Sequence, residues 1–292
     1  MRTMWAASAL LVLGAVACGG DTDSASGVEV AASFYPLAFV AEEVGEDLVE
    51  VENLTPPGAE PHDLELTPGQ VRALAGADLV VHLGGGFQPT VEDAIADLDG
   101  DVVEALASQD DLLEASASEA EQVVDPHVWL DPQRTALIAR AVSDRLGKVD
   151  PDNADAYRAN SEDLQSRLQE LDDEYREGLA ECERRSIVTS HEAFGYLAGA
   201  YRLEQVGIAG IDPEAEPTPQ RLAEVADFVD AEGVTTIFFE VLVPPDVAET
   251  LAREAGVRTA RLDPLEGPPE AGDYFSAMRA NLEALRKGLG CS

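Results

Sequence analysis

Residues 151–182 read PDNADAYRANSEDLQSRLQELDDEYREGLAEC, and this stretch sets the plan of the molecule. Its large apolar side chains recur at intervals of three, four or seven residues: Tyr157, Leu164, Leu168, Leu171, Tyr175 and Leu179. Asp150 and Pro151 suit an N-cap and a first helical position. The pattern predicts one amphipathic helix over 150–182, roughly 45 Å long at about 1.5 Å per residue. A helical hairpin is the alternative, but it lacks a turn signal before Gly178.

Short runs rich in β-branched residues lie on both sides of this helix and alternate with helical stretches. The first four runs are 28–34, 49–54, 78–83 and 101–106, and the second four are 186–190, 205–209, 234–240 and 257–262. Such alternation is typical of βαβ units with parallel sheets. We therefore predict an α/β protein with two lobes, 28–149 and 183–292, each with a mainly parallel four-stranded sheet. The helix at 150–182 would join them as a rigid spine.

The N-terminal segment has the parts of a bacterial secretory signal. A basic end at Arg2 precedes the apolar residues 4–17, and small residues surround Cys18. Residues 13–18, LGAVAC, resemble a lipobox, so we expect residues 1–18 to be a signal peptide whose Cys18 is lipidated. Residues 19–27 then form a flexible tether. These features predict an extracytoplasmic protein that is anchored by lipid to the outer face of the cell membrane, or is periplasmic.

The charge of the chain excludes some partners. Fifty-seven acidic and nineteen basic residues give a formal net charge of -38, which repels the phosphates of nucleic acids. The charge would suit a salty habitat as well as it would attract cations, so it does not identify a metal site. We expect a monomer.

With Cys18 set aside, Cys182 and Cys291 remain, and in an oxidising compartment a disulfide between them is the simplest interpretation.

Three of the four histidines occur in unusual local settings. His62 lies in PHDLE after a strand and a turn-rich segment, His127 lies in DPHVWLDP before a helix that Asp131 would cap, and His191 follows a strand directly. Ligands bind outside the carboxyl ends of the strands in parallel α/β sheets. The three imidazoles could therefore meet in the cleft between the lobes. A single histidine is more often structural than a ligand, and the intervals match no short zinc motif.

Six segments together resemble the metal-binding solute-binding proteins of ABC importers, in the zinc-uptake branch of the TroA-like family. They are PHDLELTP (61–68), DPHVWLDP (125–132), SHEAFGYLA (190–198), GIDPEAEPTPQRLAEV (210–225), IFFEVLVPPDVAETLAREAG (237–256) and LDPLEG (262–267). The resemblance covers about 28–290. It implies a lipoprotein that captures Zn²⁺ between two lobes joined by a long helix and delivers it to a membrane permease. Manganese or iron receptors and surface adhesins of the same family are the alternatives.

The resemblance also implies a ligand set. The family's imidazole ligands fall on His62, His127 and His191, and its carboxylate from the second lobe falls on Asp263. Glu60 or a water molecule competes with Asp263 as the fourth ligand, and Glu240 could accept a hydrogen bond from a ligand imidazole. The remaining histidine, His82, matches no motif, and we interpret it as structural. Zinc receptors often carry a histidine-rich acidic loop before the second ligand, whereas residues 108–125 are acidic but contain no histidine.

A zinc hydrolase is the rival class, because His191 and Glu192 begin an HExxH-like sequence. That motif requires a second histidine at position 195, where the chain has Gly195. The sequence also lacks the GxSxG elbow of α/β-hydrolases. We therefore predict a binding protein and not an enzyme, with Mn²⁺ as the alternative to Zn²⁺.

Overall fold

The computed structural model describes residues 27–96, 98, 100–115, 123–242 and 244–292. The predicted signal peptide, Cys18 and residues 19–26 of the predicted tether lie outside the described residues. Among the described residues, none of the helices combines the length and the apolar composition of a membrane-spanning segment.

The first half contains a four-stranded parallel sheet in the order β2-β1-β3-β4. Its strands are β1 (Val28–Ala32), β2 (Val49–Asn53), β3 (Leu79–His82) and β4 (Asp101–Glu104). The helices that connect them are α1 (Tyr35–Gly45), α2 (Pro68–Gly76) and α3 (Pro89–Ile95). In β3 every residue is buried, which explains its unbroken apolar run before His82.

The second half repeats this arrangement in the order β10-β9-β7-β8. Its strands are β7 (Ser186–Thr189), β8 (Glu204–Gly207), β9 (Thr236–Phe239) and β10 (Arg258–Arg261). The helices are α6 (Gly195–Tyr201), α7 (Pro219–Ala231), α8 (Asp246–Ala255) and α9 (Tyr274–Leu289). All eight predicted strands are present within about two residues of their expected bounds, so the predicted α/β architecture is confirmed. The strand order switches from one side of β7 to the other between β8 and β9, and α/β sheets form their binding crevices at such a switch point.

Two long helices lie between the sheets in sequence, α4 (Pro132–Val149) and α5 (Ala154–Gly178). Asp131 caps α4 as predicted, because its carboxylate accepts a hydrogen bond from the backbone N–H of Gln133 at 2.9 Å. The predicted spine helix, 150–182, was too long by about one turn at each end, because α5 starts at Ala154 and ends at Gly178. Residues Pro151–Asn153 form a 3₁₀ turn, and Asp150 accepts hydrogen bonds from the side chains of Asn153 and Tyr157 instead of capping α5.

Residues 108–125 differ from the surface loop that the sequence predicts. Where the structure describes them, β5 (Glu114–Ala115) and β6 (Val123–Val124) form a short antiparallel hairpin. The Tyr196 hydroxyl ties this hairpin to α6, because it accepts from the backbone N–H of Leu113 and donates to the carbonyl of Asp125. Backbone pairing therefore orders the described residues on both sides of the middle of a segment whose polar composition indicates a loop.

The two halves share one hydrophobic core, which runs from β1 and α1 through α5 to α9. Leu168, Leu171 and Tyr175 of α5 are fully buried, and the Tyr175 hydroxyl donates to the carbonyl of Met278 in α9 at 2.6 Å. Phe39 of α1 stacks on Tyr274 of α9 with ring centroids 5.1 Å apart. The core therefore fixes the second half against the first.

Beyond the end of α5, Cys182 and Cys291 form a disulfide, with sulfur atoms 1.97 Å apart and a sequence separation of 109. The predicted pairing is confirmed. The bond joins the end of the spine segment to the end of α9.

Candidate metal centre

Four side chains from four separate segments converge on one point between the sheets: His62, His127, His191 and Glu266. One ligand atom from each lies within 4.8 Å of all the others. His62 follows β2, His127 precedes α4, His191 follows β7 and Glu266 follows β10. The three predicted histidines are therefore brought together, and the fourth member of the cluster is Glu266.

The carboxylate of Glu266 lies at the centre of this cluster. Its Oε1 atom is 3.4 Å from Nε2 of His62, 3.4 Å from Nε2 of His127 and 3.5 Å from Nε2 of His191. The Nε2 atoms of His127 and His191 are themselves 3.4 Å apart. These nitrogen and oxygen atoms converge on a common point at distances longer than well-formed hydrogen bonds, which is an arrangement that a bound cation would stabilise.

The side chains of the site differ in how far they are exposed. His127, His191 and Glu266 are each no more than 1% exposed, whereas the side chain of His62 is 14% exposed and forms the open side. Among the described residues, both carboxylate oxygens of Glu266 and the Nε2 atom of His62 are buried without a hydrogen-bond partner. Buried polar atoms normally have partners, so these orphaned donor and acceptor atoms fit a metal ion.

Two further carboxylates orient the imidazoles from behind. Oδ1 of Asp125 lies 2.8 Å from Nδ1 of His127, and Oε1 of Glu240 lies 2.7 Å from Nδ1 of His191. When each Nδ1 donates its proton to the carboxylate, each Nε2 presents a lone pair to the centre. Glu240 is thus placed where the sequence predicts an acceptor. Asp125 was missed, although its position two residues before His127 is the signal that could have identified it.

The site perturbs the pKa values of its own groups. Burial alone would lower the pKa of His191, but the carboxylates of Glu240 and Glu266 outweigh it and raise the pKa to about 10. Burial also acts to lower the pKa of His127, but hydrogen bonds to the carboxylates of Asp125 and Glu266 outweigh burial and raise that pKa. Burial acts to raise the pKa of Glu266, but its three imidazole neighbours hold that pKa well below the usual value. Before metal binds, His127 and His191 therefore hold their protons more tightly than free imidazoles do, and a metal must displace those protons.

Asp263 does not contact this cluster, so the predicted placement of the fourth ligand is wrong. Its Oδ1 atom accepts from the backbone N–H of Leu265 at 2.9 Å, and its Oδ2 atom accepts from Arg261 at 2.8 Å. Both carboxylate oxygens are thus used to build the loop that carries Glu266. The motif LDPLEG contains both acids, and sequence alone does not show which one turns inward.

The candidate ligand Glu60 and the remaining histidine, His82, lie at different positions. Glu60 lies at the edge of the site, with Oε1 4.0 Å from Nε2 of His62 and 3.2 Å from the backbone nitrogen of that residue. Burial and the nearby Glu266 raise the pKa of Glu60 to about 8. His82 is buried at the end of β3, and its burial lowers its pKa to about 4, in keeping with the structural role predicted for it.

Known proteins resemble this chain over most of its length. The family model of ZnuA, described as zinc-uptake complex component A, periplasmic, matches residues 30–288. The zinc-binding lipoprotein AdcA of Streptococcus pneumoniae R6 is 34% identical over 297 residues, which cover 96% of this chain and 59% of that protein. The high-affinity zinc uptake system protein ZnuA of Bacillus subtilis is 35% identical over 94% of this chain and 93% of its own length. The chain thus spans less than two thirds of the streptococcal relative.

A solved structure agrees with these sequence matches. The laminin-binding protein Lmb of Streptococcus agalactiae, described as bifunctional with adhesin and metal transporting activity, superposes with a TM-score of 0.83. The two chains are 33% identical, and the superposition covers 90% of this chain and 100% of Lmb. Fold, family model and relatives agree with the resemblance predicted from the six sequence segments. The chain belongs to the ZnuA family of zinc-uptake components.

Proposed function

We propose that this protein captures one zinc ion between its two halves and delivers it to the membrane permease of an ABC importer. The observation that carries this proposal is the convergence of three imidazole nitrogens and one carboxylate oxygen within 4.8 Å of one another. Three nitrogen ligands and one oxygen ligand suit a tetrahedral zinc site.

In this proposal His62, His127 and His191 bind zinc through Nε2, and Glu266 binds through its carboxylate. Glu266 takes the role that the sequence assigned to Asp263. Asp125 and Glu240 hold two of the imidazoles in the tautomer that zinc requires, and hydrogen bonds of this kind also make the ligand nitrogen more basic. Zinc is the cargo, and it must displace protons from the site on entry.

Capture without chemical turnover follows from the number of protein ligands. A catalytic zinc site keeps an open coordination position for water, whereas four protein ligands complete a tetrahedron. The family supports this assignment, because its description is that of a zinc-uptake component. We therefore propose a binding protein and not a hydrolase.

The relatives support the transport role and the location. One is named a zinc-binding lipoprotein and the other a component of a high-affinity zinc uptake system. Together with the lipobox-like residues 13–18, these names support an extracytoplasmic protein with a lipid on Cys18. Adhesion, as described for Lmb, is not proposed, because the converging ligands account for metal capture without it.

The test compares the two acidic candidates in isosteric variants. Removing a zinc ligand should cost more than the roughly 10–100-fold typical of a residue that only orients a ligand. We expect Glu266→Gln to weaken zinc binding by about 100-fold or more and Asp263→Asn to weaken it by less than about tenfold. Competition with a chromophoric chelator measures both affinities, and metal analysis of purified wild-type protein measures the stoichiometry.

Two outcomes would contradict the proposal. A wild-type protein that binds no zinc in the competition titration would refute metal capture itself. If Asp263→Asn lost more affinity than Glu266→Gln, the fourth ligand would be Asp263 in the bound state, and the loop would have to rearrange on binding.

A further inference from the structure

The loop that carries Glu266 has an unusual backbone. Leu265, which directly precedes Glu266, has a φ of 58°, in the left-handed region that a branched side chain rarely adopts. Its side chain is fully buried. Such a conformation persists only where surrounding contacts impose it. The contacts around Leu265 therefore determine where the Glu266 carboxylate points.

One of these contacts comes from the other half of the molecule. The indole N–H of Trp129 donates a hydrogen bond to the carbonyl of Pro264 at 2.7 Å, across 135 residues of sequence. Trp129 lies two residues after the ligand His127, and Pro264 lies two residues before the ligand Glu266. A single buried hydrogen bond thus joins the segments that carry two ligands.

The position of Trp129 is itself fixed from several sides. Its side chain is fully buried, and its ring centroid lies 4.8 Å from that of Phe34 and 5.1 Å from that of His127. Its backbone carbonyl accepts hydrogen bonds from the hydroxyls of Tyr274 at 2.7 Å and Thr135 at 3.0 Å. Because the indole is fixed on several sides, its hydrogen bond to Pro264 restricts the position of the loop that carries Glu266.

We propose that Trp129 is a positioning residue for zinc binding. Its indole N–H holds the Pro264–Glu266 loop at a fixed distance from His127. This inference rests on the proposed zinc-binding function and assigns part of the affinity to a residue that does not touch the metal. Asp263 acts on the same loop from its more exposed side, where it accepts from the backbone N–H of Leu265. The two contacts together keep Leu265 in its left-handed conformation.

The test removes the indole N–H but keeps an aromatic ring. In Trp129→Phe the carbonyl of Pro264 loses its donor, and we expect zinc affinity to fall by about 10–100-fold, as for other residues that orient a ligand. Tyr175→Phe is the matched control, because it also removes a buried hydrogen bond to a backbone carbonyl, that of Met278, in a part of the core away from the ligands. It should change zinc affinity by less than about threefold.

A double-mutant cycle separates positioning from general loss of structure. If Trp129 acts through Glu266, Trp129→Phe should change zinc affinity by less than about twofold when Glu266→Gln is already present. Additive losses, or a Trp129→Phe affinity equal to that of Tyr175→Phe, would overturn the inference. Neither outcome would affect the proposed function, which depends on wild-type zinc binding alone.

A measurement without a change at Trp129 covers the case in which Trp129→Phe does not fold. The sequence has two tryptophans, and Trp5 lies in the predicted signal peptide, so in the mature chain the indole N–H signal in an NMR spectrum belongs to Trp129. Zinc held by Glu266 should suppress opening of the loop and slow hydrogen exchange at this N–H by about tenfold or more. Equal exchange rates in chelator-treated and zinc-loaded protein would overturn the inference.

Discussion

At the scale of single residues, three of the four members of the proposed metal site could be predicted. Each histidine follows a strand or precedes a capped helix within a specific motif. These local positions are the same in the folded structure. Glu266 could not be predicted, because its inward direction depends on the left-handed backbone of Leu265 and on a hydrogen bond from Trp129, 135 residues away. The carboxylate of Asp263 is satisfied locally by Arg261 and the backbone of Leu265, and this leaves Glu266 for the site.

The choice of metal depends on the softness of the ligand set. Three imidazoles and one carboxylate suit zinc, whereas manganese prefers more oxygen ligands. We expect His191→Glu to narrow the ratio of zinc affinity to manganese affinity, because it replaces a nitrogen ligand with a harder oxygen ligand. Thermal-shift titrations with both ions on both proteins measure the ratio. A wild-type protein stabilised more by manganese than by zinc at equal free concentration would refute the zinc assignment.

The protons on the site predict how zinc binding depends on pH. With the pKa of His191 raised to about 10, metal-free protein at neutral pH carries a proton that zinc must displace. Apparent zinc affinity should therefore rise with pH between about 6 and 9, by up to tenfold per pH unit for each displaced proton. Glu240→Gln removes the carboxylate behind His191 and should flatten this slope. An affinity that does not change with pH would contradict the proton assignment.

The same shift predicts the stability of the metal-free protein. The folded pKa of His191 lies above its unfolded value of about 6.5, so the stabilisation is complete below about pH 6.5 and disappears as the pH rises towards 10. Thermal unfolding in the presence of a chelator should show a midpoint that falls over this range. The expected fall should be smaller in Glu240→Gln, and an unchanged midpoint in wild type would contradict the argument.

At the scale of elements, the strands and the long helix were predictable because their signals are local and periodic. Apolar runs identified the eight sheet strands, and the heptad-like spacing identified α5, whose buried residues include Leu164, Leu168 and Leu171. The start of α5 was not predictable, because the side chain of Asp150 bonds to Asn153 and Tyr157 and a 3₁₀ turn intervenes. The hairpin of β5 and β6 was missed because its order comes from backbone pairing and from Tyr196.

The disulfide should stabilise the protein without contributing to zinc binding. Cys182 precedes β7, whereas His191 follows its carboxyl end, so the bond lies at the end of the sheet away from the ligands. Replacing both cysteines with serine opens a covalent loop of 109 residues and should lower the free energy of unfolding by up to ~4–5 kcal/mol. Chemical denaturation of both proteins in excess chelator measures the difference. Zinc affinity at 25 °C should be unchanged, and a tenfold loss would show that the bond also positions the site.

At the scale of the whole molecule, the two halves are held together by more than the spine helix. The hydrophobic core is continuous from the first sheet to α9, and Tyr274 of α9 bonds to the carbonyl of Trp129 in the first half. Bending the halves apart would expose this core and break buried hydrogen bonds. The sequence predicted the rigid helix, but it could not reveal the shared core, because that core depends on contacts between residues more than a hundred positions apart.

Zinc capture should therefore change the overall shape of the protein very little. A compact chain of this length has a radius of gyration of about 19 Å, and hinge closure of two separated lobes would reduce that value measurably. We expect small-angle X-ray scattering to give radii within about 0.5 Å for chelator-treated and zinc-loaded protein, as for other preorganised binding sites. Local change should instead concentrate at His62, the most exposed ligand, where hydrogen exchange of residues 60–64 should slow on zinc binding. A larger change in radius, or equal protection across both halves of the molecule, would mean that the shared core opens and that capture proceeds by hinge closure.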